Sequence, residues 1–154
     1  MENITSFCIN HDILPKGMYI SRIDGDIVTY DLRFVIPNTP PYLSNAGLHT
    51  IEHLFATYVR NSKYAEDIIY FGPMGCRTGF YFLVRDHMRP EEAIALVQET
   101  MQFILGFEGP IPGAQASREC GNYLEHSLTD AKKYAKDYAQ VLANYATNQL
   151  KYPE

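Results

Sequence analysis

A chain of 154 residues, 46% of them apolar, is about one domain long and can bury a core without disulfides. Its formal charge of −5 leaves no basic stripe to displace the counterions of a nucleic acid, and it disfavours an anionic membrane surface for the same reason. No apolar run approaches the length of a bilayer span, and Met1-Glu2-Asn3-Ile4 has neither the basic nor the apolar segment of a signal peptide, so a cytoplasmic protein with Cys8, Cys76 and Cys120 as free thiols is expected.

Met18 to Phe34 reads as a β-hairpin with Asp24-Gly25 as its turn. In the second strand Val28, Tyr30, Leu32 and Phe34 point one way, and Thr29, Asp31 and Arg33 form a polar face. Pro37, Pro40 and Pro41 end the strand. A helix is expected from Ala46 to Asn61, its buried stripe made by Leu48, Ile51, Leu54, Phe55, Tyr58 and Val59. Ile68 to Phe71 and Thr78 to Val84 are two further strands, separated by a glycine-bracketed turn around Cys76. Pro90, Glu91 and Glu92 open a second helix that stops near Gly106. After the loop from Gly109 to Ala116, Cys120 to His126 is expected as a strand, and Ser127 with Asp130 caps a last helix reaching about Tyr145. The order favours an α+β fold, an antiparallel sheet packed against helices in one compact domain spanning 1–154.

The strongest chemical signal is His49-Thr50-Ile51-Glu52-His53. Residues four apart on a helix share a face with β-carbons roughly 5–6 Å apart, so two imidazoles can converge on one divalent ion. Glu52 borders the same face and is placed as an acid/base. A single histidine here would more simply be a solvated or core residue; the pair with its glutamate reverses that preference. A catalytic ion takes about three protein ligands and leaves one position open. Cys120 is the first choice for the third, with Glu119 and His126 as competitors. Inverted zincins carry the same order of residues, so a hydrolase using Glu52 to activate water, with Glu119 as third ligand, is one alternative. A closed structural site with four protein ligands is another.

Taken together, several segments resemble the S-ribosylhomocysteine lyase (LuxS, autoinducer-2 synthase) family. They are Ser6-Phe7 with His11, Asp31-Leu32-Arg33-Phe34, Pro37-Asn38, His49-Thr50-Ile51-Glu52-His53-Leu54-Phe55 and Arg60. The series continues through Pro73-Met74-Gly75-Cys76-Arg77-Thr78-Gly79-Phe80-Tyr81, Cys120-Gly121-Asn122-Tyr123 and His126-Ser127-Leu128. The resemblance implies a metal on His49, His53 and Cys120, proton transfer by Glu52 and Cys76, and positioning of substrate or catalytic groups by Ser6, His11, Arg33 and Arg60. It implies one divalent ion per subunit, Fe2+ with Zn2+ or Co2+ as substitutes, and a homodimer with its active sites at the interface. The implied substrate is S-ribosylhomocysteine, isomerised and then split to homocysteine and 4,5-dihydroxy-2,3-pentanedione. One departure is Ile68-Ile69-Tyr70-Phe71-Gly72, where relatives often carry an acid; Cys8 has no counterpart role.

Overall fold

A computed structural model describes residues 1–154. The hairpin forms as β1 (Gly17–Asp24) and β2 (Ile27–Arg33), paired antiparallel from Gly17 opposite Arg33 to Asp24 opposite Ile27. The two turn residues are Gly25 and Asp26, one position later than the sequence signal, because Gly25 takes the positive φ of 59° that such a turn requires. β3 (Ile68–Pro73) and β4 (Gly79–Arg85) form a second hairpin, and β4 pairs with β2. The sheet is antiparallel throughout, in the order β1-β2-β4-β3.

Three helices, α1 (Asn45–Arg60), α2 (Pro90–Gly106) and α3 (Leu128–Val141), supply the rest of the α+β fold. The core joins Tyr30, Leu32, Phe80, Phe82 and Val84 of the sheet to Ile51, Leu54 and Phe55 of α1, Val97 and Met101 of α2, and Ala131, Ala135 and Tyr138 of α3. Phe55 stacks on Phe71 with ring centroids 3.7 Å apart, which seats α1 beside β3. None of these helices is long and apolar enough to cross a membrane.

Two further sequence expectations are corrected. Cys120 to His126 is not a strand but a run of turns and coil. The last helix stops at Val141 rather than about Tyr145, and Asn144 follows in a left-handed conformation (φ 58°) that a continuing helix does not admit. The polar face of β2 is buried: Thr29, Asp31 and Arg33 are 8%, 0% and 2% exposed. Tyr152 covers that face, its ring stacked on Tyr19 at 4.9 Å and its hydroxyl donating to Asp31 Oδ2 at 2.7 Å.

Candidate metal centre

α1 is held at its start by Ser44, whose Oγ accepts from Gly47 N at 3.0 Å and donates to Asp130 Oδ2 at 2.8 Å. With Ile51, Leu54, Phe55 and Val59 fixed in the core, His49, Glu52, His53 and Arg60 are left on the other side of the helix and are not fully buried. The segment between α2 and α3 brings Cys120 to the same place. His49 Nε2 and His53 Nε2 are 3.1 Å apart, and Cys120 Sγ lies 3.4 and 3.7 Å from them. A tetrahedral ion with ordinary nitrogen and thiolate bond lengths would set those edges at roughly 3.3–3.6 Å. The three edges thus lie within about 0.2 Å of one face of a coordination tetrahedron.

Hydrogen bookkeeping gives the same answer. His49 Nδ1 lies 2.8 Å from Glu125 O and His53 Nδ1 lies 2.8 Å from Pro112 O. A carbonyl can only accept, so each Nδ1 carries the hydrogen and each Nε2 keeps its lone pair. Two lone pairs facing each other across 3.1 Å are repulsive unless a cation stands between them. Gly113 makes room for this arrangement: its φ is +71°, and a Cβ there would lie 3.2 Å from His53 Nδ1.

His126 completes a cluster whose four ligand atoms lie within 4.8 Å of one another. Its ring stacks on His49 at 4.0 Å, its Nδ1 bonds Thr50 Oγ1 at 2.8 Å, and its Nε2 is buried without a partner. Burial first, then His49 and His53, push its pKa down to about 4, so it is neutral near neutral pH. Glu119, the competing carboxylate, is instead turned into its own loop, accepting from Gln115 N at 2.7 Å and Ala116 N at 3.2 Å.

Glu52 and Arg60 share a pocket of about 350 Å³ with His53, Tyr70, Phe71 and Gly113. Arg60 donates to Ile69 O at 3.1 Å. Cys76 sits in the turn between β3 and β4 and lines a different recess of about 200 Å³ with His11, Pro37, Asn38, Tyr42 and Thr78. Arg33 reaches Cys76 only through Thr78, donating to Thr78 Oγ1 at 2.8 Å, which is 3.1 Å from Cys76 Sγ. Ser6 lines a third recess, with Thr29, Tyr81 and Leu83 among its walls. Tyr81, its pKa raised by burial and then by Asp31, neighbours both Ser6 and Cys76. Apart from Ser6, the expected site residues thus gather in a metal-and-Glu52 group and a Cys76-and-His11 group whose linings share no residue. Cys8 is exposed and bonds only Ile4 O, at 3.5 Å.

Sequence reasoning missed the Pro112 and Glu125 carbonyls, which carry no side-chain signal, and the roles of Thr78 and Tyr152. The Asp31–Arg33 pair did leave one: two residues apart on a strand means one face.

The family model described as S-ribosylhomocysteinase (LuxS) matches residues 4–149. The chain is 46% identical over 159 residues to the S-ribosylhomocysteine lyase of Clostridium acetobutylicum, covering 100% of both. It is 46% identical over 158 residues to that of Borreliella afzelii, covering 99% of this chain and 100% of the relative. With that of Phocaeicola vulgatus the identity is 46% over 159 residues, covering 99% and 98%.

Proposed function

The chain belongs to the S-ribosylhomocysteinase (LuxS) family, and on that premise we propose that it is an S-ribosylhomocysteine lyase, a metal-dependent carbon–sulfur lyase in one domain spanning 1–154. The observation that carries the reading is the His49–His53–Cys120 triangle in a chain matched end to end by lyases of that name. A divalent ion held by His49, His53 and Cys120 would supply Lewis-acid polarisation of the substrate carbonyl. The donor set of two imidazoles and a thiolate suits ferrous iron, and equally zinc or cobalt; the choice of Fe2+ as the native ion follows from the family resemblance and not from the donors.

The proton transfers belong to Cys76 Sγ and a Glu52 carboxylate oxygen. A proton leaves C2 of the open-chain sugar and one returns to C1, moving the carbonyl from C1 to C2. A second exchange, from C3 to C2, moves it to C3. Loss of the C4 proton then expels homocysteine from C5, and the enol left behind tautomerises to 4,5-dihydroxy-2,3-pentanedione. Arg33, buried and paired with Asp31, holds Cys76 through Thr78, while Ser6, His11 and Arg60 line the recesses that take the substrate.

The same reading makes the active enzyme a homodimer in the cytoplasm. On one chain the Glu52 pocket and the Cys76 recess have no wall in common, and a twofold-related copy brings one group to the other across an interface. Incubation with S-ribosylhomocysteine and a thiol assay for homocysteine tests the activity. Release by the wild type, abolished in Cys76→Ala with metal retained, is the expected result; release undiminished in Cys76→Ala overturns the mechanism, and no release by the metal-loaded wild type overturns the function.

A further inference from the structure

Behind Cys76 runs a directional chain of hydrogen bonds along one face of the sheet, beginning beside β1 at Tyr152. The Tyr152 hydroxyl donates to Asp31 Oδ2 at 2.7 Å. Asp31 accepts two bonds from Arg33, Nε to Oδ1 at 3.1 Å and Nη2 to Oδ2 at 2.7 Å. The remaining arm of the fork, Nη1, donates to Thr78 Oγ1 at 2.8 Å, and Thr78 Oγ1 lies 3.1 Å from Cys76 Sγ. Asp31, Arg33 and Thr78 are at most 2% exposed, so water does not compete for these groups.

The direction of the last bond follows from the first ones. A guanidinium only donates, so Thr78 oxygen is the acceptor toward Arg33 and its hydrogen has a single acceptor in the structure, Cys76 Sγ. An O–H donated to sulfur favours thiolate over thiol, and favours it more when a cation polarises the hydroxyl from behind. Tyr152 acts at the far end: its bond draws on the Asp31 carboxylate, leaving more of the Arg33 charge directed at Thr78. Burial opposes that charge, but the bonds and charge of Asp31, followed by Cys76 and Tyr152, outweigh it and hold the Arg33 pKa above its usual value.

We propose that Thr78 is the positioning residue of the Cys76 thiolate and that Tyr152, through Asp31 and Arg33, sets how strongly it acts. The proposal rests on the reading of Cys76 as a proton carrier. The other ionisable groups around Cys76 are His11 and Tyr42 in its recess, Tyr81 on β4, and Arg77, whose guanidinium is given to Leu43 O at 3.3 Å. None of them stands between Arg33 and the sulfur in this chain of bonds.

The test is the pH dependence of iodoacetamide alkylation at Cys76 in the metal-loaded protein, read by peptide mass spectrometry so that Cys8 and Cys120 do not contribute. Thr78→Val, which keeps the shape and loses the hydroxyl, should raise the midpoint by about one to two pH units, the loss of one hydrogen bond to a charged group. Thr78→Ser should restore the wild-type midpoint, and Tyr152→Phe, which keeps the ring on Tyr19, should raise it by roughly half a unit. An unchanged midpoint in Thr78→Val, or a raised one in Thr78→Ser, overturns the proposal. If Thr78→Val does not fold, an unchanged midpoint in Tyr152→Phe overturns it. Because alkylation needs no substrate, the two readings fail separately. Shifted midpoints with full lyase activity in Cys76→Ala remove the role of Cys76 and leave the network; a lost activity in Cys76→Ala with fixed midpoints does the reverse.

Discussion

Gly113 holds its backbone against the His53 ring, with a Cβ position only 3.2 Å from Nδ1 and a φ of +71°. The preceding carbonyl, Pro112 O, is the acceptor that fixes the tautomer of His53. Gly113→Ala should therefore weaken the metal site without touching a ligand, because the loop must retreat and take that acceptor with it. Loss of such a supporting bond costs about 10–100-fold in affinity. Chelator competition measures it; an affinity equal to wild type would mean that the Pro112 bond contributes nothing.

Removing a proposed ligand should do more. Cys120→Ala is expected to bind less than about a tenth of the wild-type metal at equal free concentration, since two imidazoles remain where three donors are needed. Metal analysis after dialysis decides the matter. Full stoichiometry would give the third place to His126, because Glu119 is engaged with Gln115 and Ala116.

Glu52→Gln should keep the metal and lose turnover by about 10²–10⁴-fold, the usual worth of a positioned acid/base. The amide preserves the shape of the pocket that Glu52 shares with His53 and Arg60. Steady-state homocysteine release and metal content are measured on the same preparation. A variant that instead loses its metal makes Glu52 a prop of the site.

Subunit exchange tests the shared site. The pair to mix is Cys76→Ala with Glu52→Gln, because Cys76 and His11 line one recess of one chain and variants at those two positions have no reason to complement. Half of randomly formed dimers are hybrids, and each holds one intact site of two, so roughly a quarter of wild-type activity should return. Sedimentation of the wild type as a fully active monomer, or no recovery after verified exchange, would refute the arrangement.

Much of this was legible in the chain itself, for identifiable reasons. The α1 motif could be read because helical spacing alone puts His49 and His53 on one face, and Ser127 caps where the local pattern places a helix start. Cys120 could be named but not placed, since its approach to the histidines depends on a segment without regular structure. The burial of the polar face of β2 was not legible for a physical reason: alternation reports which residues share a face but not what covers it, and the cover over Asp31 comes from Tyr152, 121 positions away. The aromatic and apolar residues from Cys120 onward resembled a strand, yet the run forms turns, and its backbone serves α1 instead: Glu125 O binds His49 and Ser127 N donates to Thr50.

Residues 107–127 join α2 to α3 without a helix or strand of their own, and almost every hold on them is in α1: Pro112 O and Gly113 at His53, Cys120 at both histidines, Glu125 O at His49, His126 at Thr50. An ion in the triangle is thus a cross-link as well as a reagent. It ties together positions 71 and 67 residues apart, a ring of the size for which a covalent bridge removes about 4 kcal/mol of unfolded-chain entropy. On that reading metal supply should govern how long the chain survives as well as how fast it works. A protease given the metal-depleted protein should cut first between α2 and α3, and the same cut should disappear when the ion is restored.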